Sequence, residues 1–579
     1  MPAIWLKGTV TLVNTTHNSA TTAVILRYAQ RRGIPPEEIK EFTNPKIDLA
    51  RYMLPAADKA AARLWTAINN NETVVIFGDY DADGITSTAI LLRFLHSCTP
   101  LRPSRKLPNR KADQYGLDIA MAQKLVAEFS ATLVICLDNG TNSGEAVAWL
   151  SQQGVDTLII DHHPVTALAV DAVAILNPKA HPATASDDLA ELCAAGLTLL
   201  WCAYMAKTWG CDARWDSATA IMLAGVGTLA DAVAMSPTNR ALAKNTLRLL
   251  NDPGTLRRCP GLEALVPADG QRVTQRRVQF DIVPPLNALG RLDSADPGVT
   301  LLLTDDREEA RQIAEHWRKL NETRKAIQQK IVSDAVEQGR ELLLRCPNLP
   351  VLVLAQSDWV PGVVGPAASR VAEHLERSAI LLGPDGQLNQ WKGSGRAHTA
   401  DDLGSWLAAV KKLGCIERGG GHAAAVGVAG TTEQIKQLQS LAGCLAMPQL
   451  EDHEPQYEIL GEFGELRPEE WLQVLDTLEP CGRGNPFPLI LARQACLTQE
   501  PAELRLANSG QAWASKGTFS IGGRTISAVW RDLEKAALLW RKGNRYDLEV
   551  ELSAKAYNGI IYINWAVASC SLTVGTPQR

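Results

Sequence analysis

The pattern of apolar and polar residues alternates between two periods from residue 56 to residue 235. Continuous apolar runs, typical of buried parallel strands, occur at 73–78, 132–137 and 156–160. Apolar repeats of three and four residues predict helices over 57–70, 85–97 and 143–154. Gly84 is expected in the turn before the second helix, and Gly154 is expected to end the third. Alternating strands and helices predict an α/β domain with a parallel sheet and helices on both faces.

The pattern changes after residue 306. Three- and four-residue repeats over 307–344 favour one long helix between two domains, with two helices broken near Asn321 as the alternative. A second α/β unit follows, and runs of alternating character after residue 450 predict antiparallel strands of a small barrel or sandwich. The chain is therefore divided into an N-terminal segment (1–55), a catalytic domain (56–305), a connecting helix (306–346), a second α/β domain (347–449) and a C-terminal barrel (450–579).

Composition is that of an ordinary globular protein, with 46% apolar and 21% charged residues in a chain of 579. No apolar run approaches the ~18 residues of a membrane span, and the N-terminus lacks the pattern of a secretory signal. The twelve cysteines are scattered, which favours reduced thiols and a cytoplasmic location. The net charge of −5 does not exclude nucleic acid, because local clusters matter more than the sum. One such cluster comprises Arg102, Arg105, Lys106, Arg110 and Lys111, although a solvated surface is the commoner explanation.

Acidic motifs follow the predicted strands directly. They are GDYDADG at 78–84, LDNG at 137–140 and IDHHP at 160–164, with GTLADAV at 227–233 further along. Ligands at open α/β sheets bind beyond the carboxyl ends of the strands, so these motifs should converge. Each motif alone could be a loop or a helix cap; the set together predicts a metal site. The candidate residues are Asp79, Asp81, Asp83, Asp138, Asp161, His162, His163 and Asp231.

The ligand types restrict the chemistry of this site. Clustered carboxylates repel one another, and divalent cations relieve that repulsion. Oxygen ligands with imidazole favour Mn²⁺ or Mg²⁺, and two ions sharing a carboxylate suit hydrolysis of phosphoesters. His162 and His163 are adjacent in a loop and can point in different directions, so one can bind metal while the other meets a phosphate oxygen.

These motifs resemble the DHH phosphoesterases, a family named after the Asp-His-His that stands here at 161–163. The chain is similar in particular to the bacterial RecJ exonucleases, which degrade single-stranded DNA from 5′ to 3′. The motifs that carry the likeness span about 70 to 490 in matching order: LPNR with YGL (107–110, 115–117), NPK (177–179), AAGLT (194–198), PPLNALGRLDSA (284–295), PGVVG (361–365), GSGRA (393–397), GGGHAAAVG (419–427) and LEPCGRGNPFP (478–488). The resemblance implies a DHH domain, a long connecting helix, a DHHA1-type domain that binds the strand end, and an OB-like barrel that binds nucleic acid.

The resemblance also assigns roles to the candidate residues. Asp138 is expected to bridge two Mn²⁺ or Mg²⁺ ions, and His163 is expected to contact the scissile phosphate, paired with Asp161 as the catalytic residues. The expected metal ligands are Asp79, Asp81, Asp83, Asp138, His162 and Asp231. The expected phosphate or nucleic-acid contacts are Arg110, Arg291, Arg370, Ser394, Arg396 and His422.

The family further implies partners and a setting. The substrate is a single strand of DNA with a 5′ end, the setting is DNA repair and recombination, and single-strand-binding protein and a RecQ-type helicase are the implied partners of a monomer. Trp530, Tyr557 and Tyr562 are candidates for stacking on bases. One departure is Val360, which stands where the family usually has histidine and has no group to contact phosphate.

Two other functions fit parts of the pattern. One is a DHH phosphodiesterase acting on short oligonucleotides or cyclic dinucleotides, which the chain length argues against. The other is a catalytically silent scaffold that binds single-stranded DNA, which the complete set of candidate ligands argues against. Digestion of end-labelled oligonucleotides would distinguish all three.

Overall fold

The computed structural model describes residues 6–7, 19–49, 54–108, 116–183, 185–292, 294–416, 418–450, 457–505, 512–557 and 560–573. Three sheets organise these residues, two of them in α/β units and one in a barrel. The predicted fold class is confirmed, whereas the five-part division of the chain stays a prediction. No helix among the described residues is long and apolar enough to cross a bilayer.

The first sheet is fully parallel and has the strand order β3-β2-β4-β5-β6. The chain passes from β2 to β3 on one side and then to β4 on the other, so the strand order reverses between β2 and β4. Such a reversal opens a crevice at the carboxyl ends of the two strands. The N-terminal strand and those of this sheet are β1 (Leu6–Lys7), β2 (Val74–Gly78), β3 (Ser104–Lys106), β4 (Leu133–Leu137), β5 (Asp156–Ile160) and β6 (Ala174–Ile175).

Helices cover both faces of this sheet, because side chains of its buried strands point alternately to either side. Ile76 and Ile135 face a core built with α3, α4, α8 and α9, and Phe77 and Val134 face one built with α5 and α6. The helices are α1 (Ser19–Arg31), α2 (Ile39–Thr43), α3 (Ala57–Asn69), α4 (Ala82–Cys98), α5 (Ile119–Phe129), α6 (Gly144–Gln152), α7 (Asp187–Ala190), α8 (Ala194–Thr208), α9 (Ser217–Ala230), α10 (Pro237–Leu250), α11 (Pro253–Leu256), α12 (Pro260–Leu265), α13 (Gln275–Arg277), α14 (Val283–Leu292) and α15 (Asp296–Leu303).

Helix boundaries agree with the sequence except at one functionally important point. Gly154 follows α6 with φ +74°, as expected for a residue that ends a helix. Helix α4 begins at Ala82, so Gly84 lies in its first turn and not before it. The reason is that Asp81 acts as the N-cap of α4, whereas the sequence had assigned this residue to metal binding.

Helix α16 (Arg307–Arg345) is uninterrupted for 39 residues and confirms the long connecting helix. Its first half buries Trp317 in the core of the first domain, and its second half buries Ile331 in the core of the second α/β unit. Asn321 is buried within the helix and accepts a hydrogen bond from Arg324 Nε at 3.0 Å. A side-chain partner three residues further along, on the same face of the helix, thus makes a break at Asn321 unnecessary.

The second α/β unit has a five-stranded sheet in the order β10-β11-β9-β8-β7, in which only β7 and β8 are parallel. Helix α17 packs on β8 and β9. The elements are β7 (Val351–Ala355), α17 (Pro361–Leu375), β8 (Ser378–Pro384), β9 (Gln390–Arg396), α18 (Leu403–Lys412), β10 (Arg418–His422), β11 (Ala425–Thr431) and α19 (Thr432–Leu441).

The C-terminal sheet closes on itself in the order β13-β17-β18-β16-β15 and back to β13. Only β16 and β18 are parallel within this ring, and a helix joins β16 to β17, which is the arrangement of an OB-like barrel. The elements are β12 (Tyr457–Glu462), α20 (Pro468–Leu478), β13 (Phe487–Leu497), β14 (Ala502–Arg505), β15 (Ala512–Ile521), β16 (Arg524–Trp530), α21 (Leu533–Leu539), β17 (Arg545–Tyr557) and β18 (Ile560–Leu572).

Among the stacking candidates of the barrel, only the side chain of Trp530 lies in the described part of the chain. Trp530 is 5% exposed and packs against Trp540 with ring centroids 5.5 Å apart, so the prediction that it stacks on bases is wrong. Burial of its large apolar surface in the barrel core outweighs any role at the surface. The side chains of Tyr557 and Tyr562 lie outside the described part of the chain.

Candidate metal centre and phosphate contacts

The acidic motifs meet at the crevice between β2 and β4. Asp79 directly follows β2, Asp138 directly follows β4, and Asp161 directly follows the neighbouring strand β5. All three carboxylates are buried. Strand register brings them together, because Gly78 pairs with Leu137 and Leu137 pairs with Ile160 at the same edge.

The loop after β2 is held tightly by its own backbone. Asp81 Oδ1 accepts hydrogen bonds from the amides of Asp83 and Gly84 at 3.0 and 3.1 Å. A Cβ at Gly84 would lie 2.4 Å from the carbonyl oxygen of Asp79, so only glycine permits this approach. The amide of Ala82 donates to Asn287 Oδ1 at 2.8 Å, which fixes the loop to α14.

Asp83 is fixed by the amino end of helix α8. Its Oδ2 accepts from the amide of Ala194 at 2.8 Å, and its Oδ1 accepts from the amide of Ala195 at 2.9 Å. A helix amino end stabilises negative charge, although burial still raises the pKa of Asp83 to about 6, with Asp81 adding to the rise. Gly227 on α9 leaves room for this carboxylate, since a Cβ there would lie 2.7 Å from Asp83 Oδ1.

Asp138 occupies the centre of the cluster. Its backbone has φ +65°, a conformation that non-glycine residues seldom adopt and that recurs at functional sites. Its Oδ1 is buried and accepts no hydrogen bond from the described protein residues, yet lies 3.2 Å from Nε2 of His162. Burial, together with the charges of Asp83 and Asp81, raises the pKa of Asp138 well above its ordinary value.

His162 and Asp231 complete one side of the cluster. Nε2 of His162 lies 3.7 Å from Asp231 Oδ2 and 3.9 Å from Asp83 Oδ2. Burial and the neighbouring charge of His163 lower the pKa of His162 to about 3, so its imidazole is neutral at physiological pH. Burial and the charge of Asp83 raise the pKa of Asp231 to about 8. A neutral imidazole among carboxylates is a typical set of metal ligands.

The ligand atoms form three overlapping groups. Within each group they lie within 4.8 Å of one another, and the groups are Asp79, Asp81 and Asp138; Asp83, His162 and Asp231; and Asp138, His162 and His163. Asp138 belongs to two of these groups. A buried carboxylate oxygen without a donor and a crowd of mutually repelling acids fit bound divalent cations of the Mn²⁺ or Mg²⁺ type.

Both carboxylate oxygens of Asp161 accept hydrogen bonds from neighbouring protein groups. Its Oδ1 accepts from the amide of His162 at 2.7 Å and contacts Nδ1 of His163 at 2.7 Å, while its Oδ2 accepts from the amide of Thr141 at 3.0 Å. Burial opposes its ionisation, but the hydrogen bond and charge of His163 hold its pKa below the ordinary range. Asp161 therefore orients His163 and does not belong to any of the three ligand groups.

Three polar residues to which the sequence analysis assigned no role support this centre. Lys179 Nζ donates to the carbonyl oxygen of His162 at 2.5 Å. Asn177 Nδ2 donates to Thr141 Oγ1 at 2.9 Å and to the carbonyl oxygen of His163 at 3.0 Å. The signal was present in the NPK motif, which lies just beyond β6 at the same edge of the sheet.

Ser394 and Arg396 lie together on β9, facing α17. A Cβ added to Gly365 would lie 3.4 Å from both Ser394 Oγ and Arg396 Nη2, so this glycine opens space beside the pair. His422 ends β10, and Arg396 is among the charges that, after burial, lower its pKa. Ser394, Arg396 and His422, all predicted to contact phosphate, are therefore near one another.

The other residues predicted to contact phosphate are not seen beside Ser394 and Arg396. Arg370 lies on α17 five residues after Gly365, which places it on another side of the helix, and its Nη1 is 3.6 Å from Glu373. Arg110 lies outside the described residues, and the side chain of Arg291 is not described. The roles of all the candidate site residues stay predictions.

The described residues of the basic cluster at 102–111 form hydrogen bonds and ion pairs with other groups of the protein. Arg105 donates to Asp296 Oδ1 at 3.0 Å and to Thr300 Oγ1 at 2.7 Å, and Lys106 donates to Glu128 Oε2 at 2.9 Å. Arg102 donates to backbone carbonyl oxygens. These contacts favour the structural alternative over a nucleic-acid surface, while Lys111 lies outside the described residues.

Comparisons with known proteins agree with this arrangement. Residues 73–226 match the DHH family, N-terminal domain, and residues 348–443 match the DHHA1 domain. The single-stranded-DNA-specific exonuclease RecJ of Escherichia coli is 31% identical over 482 residues, which cover 80% of this chain and 82% of that protein. The protein of the same name in Bacillus subtilis is 30% identical over 453 residues, 77% of this chain but only 55% of its own length. The crystal structure of Thermus thermophilus RecJ with Mn²⁺ shares the fold, with a TM-score of 0.75 at 24% identity, covering 96% of this chain and 77% of that one.

Proposed function

Since the chain belongs to the RecJ family of exonucleases, we propose that it hydrolyses phosphodiester bonds of single-stranded DNA from the 5′ end. The proposal is carried by one observation. A carboxylate oxygen of Asp138 lies within 4.8 Å of ligand atoms of Asp79 and Asp81 in one group, and of His162 and His163 in another. A carboxylate in this position could be shared by two cations, one held by each group of ligands. Asp79, Asp81, Asp83, Asp138, His162 and Asp231 would hold the ions.

Two bound cations supply charge that activates an attacking water and offsets the negative charge of the phosphate in the transition state. The protein's own residues perform the remaining tasks. His163, oriented by Asp161, has its pKa raised to about 9 by that hydrogen bond and charge, against the effect of burial. It is therefore a cation at physiological pH and is suited to contact a phosphate oxygen.

The direction of cleavage rests on the second α/β unit. A guanidinium beside a hydroxyl suits a phosphate, and Arg396 and Ser394 offer this pair beside Gly365. We assign them to the terminal 5′ phosphate, with His422 nearby. The OB-like barrel would hold the strand further from its end. Val360, which lacks a polar group, removes one contact near the amino end of α17 without affecting the metal centre.

The test is digestion of single- and double-stranded oligonucleotides labelled at the 5′ or the 3′ end, with Mn²⁺ or with EDTA. We expect metal-dependent release from the 5′ end of single strands. Asp138→Ala should abolish hydrolysis while the protein stays folded, and Arg396→Ala should reduce the preference for a 5′ phosphate over a 5′ hydroxyl. Release from the 3′ end, a preference for dinucleotides, or binding without cleavage would each contradict the proposal.

We place this activity in DNA repair and recombination in the cytoplasm, with single-strand-binding protein and a RecQ-type helicase as proposed partners of a monomeric enzyme. Size-exclusion chromatography with light scattering tests the monomer. Stimulation of digestion by either partner on coated or unwound DNA tests the association.

A further inference from the structure

The loop between α20 and β13 presents Arg483 between the metal centre and the second α/β unit. Its side chain is 62% exposed, and its Nη2 donates a hydrogen bond to Glu191 Oε2. Glu191 lies at the end of α7, three residues before the Ala194 amide that holds Asp83. The arginine is thus close in the fold to the metal centre, although the LEPCGRGNPFP motif lies far away in sequence.

The backbone around Arg483 is fixed by hydrogen bonds. Its carbonyl oxygen accepts from the amide of Met235 at 2.6 Å. Gly482 and Asn485 pair through both of their backbone groups at 2.8 and 2.9 Å. Asn485 Nδ2 also donates to the carbonyl oxygen of Pro480 at 2.7 Å, and Gly484 has φ +79°, which glycine adopts without strain. A rigid loop therefore carries a long exposed side chain, and a change of partner requires only that side chain to move.

Arg483 has basic side chains on both sides. Its positive charge acts on Lys179 on the metal side and on His422 on the other side. Lys179 contacts the carbonyl oxygen of His162, and His422 is near Arg396. We call Lys179, Arg483, His422 and Arg396 the basic row.

The guanidinium groups of Arg483 and Arg396 carry positive charge, so the basic row attracts an anion. Glu191 is the acidic side chain seen in contact with Arg483 among the described residues. A phosphodiester, like a carboxylate, accepts two parallel hydrogen bonds from a guanidinium, so it can replace Glu191 as the partner of Arg483, and a chain of phosphates can follow the whole row.

We propose that Arg483 binds a backbone phosphate of the single strand between the metal centre and the Ser394–Arg396 pair, and that Glu191 competes with this phosphate for the guanidinium. The inference rests on the proposed function and extends it, since it assigns a substrate contact to the loop that joins the barrel to the first domain. It makes Glu191 an inhibitor of substrate binding and not only a structural partner.

The test compares Arg483→Ala, Glu191→Gln and the double variant with Arg311→Ala as the control. Arg311 is also exposed and also ion-paired, to Glu308 at 2.8 Å, but it lies on the connecting helix α16. The measurements are KM and kcat for a 5′-phosphorylated single strand with Mn²⁺ over a series of salt concentrations, with the unfolding temperature of each variant.

We expect Arg483→Ala to raise KM about tenfold with kcat within about twofold, as for the loss of one charge-assisted hydrogen bond. The slope of log KM against log salt should fall by about 0.7, the value for one lost phosphate contact on a single strand. Glu191→Gln should lower KM about two- to threefold in the wild-type background and should have no effect in the double variant. Arg483→Lys should restore the salt slope, because it restores the charge.

A structural ion pair gives the opposite pattern. If Arg483→Ala and Glu191→Gln raise KM alike, or if the salt slope of Arg483→Ala equals that of Arg311→Ala and the wild type, the inference is wrong. Wild-type protein that degrades no single strand with Mn²⁺ would instead refute the proposed function, so the two failures are distinguishable.

Discussion

Nδ1 of His163 lies 2.7 Å from Oδ1 of Asp161, and this contact gives two adjacent histidines opposite properties. His163 has its pKa raised to about 9, while burial and the charge of His163 lower the pKa of His162 to about 3. One imidazole is consequently a cation suited to phosphate, and its neighbour is neutral and suited to a metal ion.

Asp161→Asn tests this division of roles. The amide keeps the size of the side chain but removes its charge, so the pKa of His163 should fall towards its ordinary value. We expect kcat at pH 8 to fall by about 10- to 100-fold, the scale of a lost transition-state contact, while Mn²⁺ still binds. NMR titration of His163 and calorimetric titration of Mn²⁺ are the measurements. A kcat that falls without any change in the titration of His163 would contradict the argument.

Gly227→Ala should damage the site from a distance in sequence. The added Cβ would lie 2.7 Å from Asp83 Oδ1, so Asp83 must leave the amino end of α8 or α9 must shift. We expect Mn²⁺ affinity to fall at least tenfold. Gly254→Ala is the control, because the nearest atom to its new Cβ lies 3.6 Å away. Equal Mn²⁺ affinity in the two variants would show that the packing of α9 does not position Asp83.

Removal of metal should destabilise the protein more at higher pH. The folded-state pKa is raised to about 6 for Asp83 and about 8 for Asp231 without metal, above the ordinary carboxyl value of 3.8. Between pH 4 and 8 the folded state therefore binds more protons than the unfolded state, and metal-free stability falls as pH rises. The gap in unfolding temperature between Mn²⁺ and EDTA should widen from pH 5 to pH 8.

Asp138→Asn isolates the cause of that dependence. It removes one charge from the centre of the cluster, so the metal-free variant should be more stable than the wild type at pH 8 and should gain little from Mn²⁺. Asp305→Asn, at a side chain that is 92% exposed, is the matched control and should behave as the wild type. A destabilised Asp138→Asn protein at pH 8 without metal would argue against carboxylate repulsion.

Lys244→Met probes how the barrel is attached to the first domain. Lys244 Nζ on α10 donates to the carbonyl oxygens of Asp476, Thr477 and Glu479 at 3.0, 2.7 and 3.0 Å, where α20 ends. All three ammonium donors are used, and cations favour the carboxyl end of a helix. Burial, followed by the charge of Arg240, lowers the pKa of Lys244 to about 8.

The sign of its pH effect follows from linkage. From pH 8 to the ordinary value of 10.5, the unfolded state binds the proton that folded Lys244 has lost, so this group makes stability rise with pH. The free energy of unfolding of the wild type minus that of Lys244→Met should therefore increase over this window, by at most about 1.4 kcal/mol per pH unit. Denaturant unfolding measures it, with the surface variant Lys59→Met as control. A difference that does not vary with pH would contradict the depressed pKa.

Local sequence patterns located most of the first domain, because its strands are buried on both faces and read as continuous apolar runs. The strand before Asp79 and the strand before Asp138 were predicted within a residue or two of their ends. A helix cap was an alternative for each acidic motif, but the N-cap role could not be assigned to Asp81, since a short acidic loop offers no way to tell a cap from a ligand. Trp530 was misassigned for a similar reason: an aromatic residue in a barrel strand has the same sequence pattern on either face.

The sequence by itself determined which residues are the candidates for the chemistry, because each acidic motif is attached to the end of its own strand and needs no distant partner to be recognised. Only the tertiary structure decided what holds those residues and what they contact. Asp83 is fixed by amides 111 and 112 residues away, and Arg483 meets Glu191 across 292 residues. Hydrogen bonds and charge act over a few ångströms in space regardless of separation along the chain, so these pairings exist only once the domains have packed.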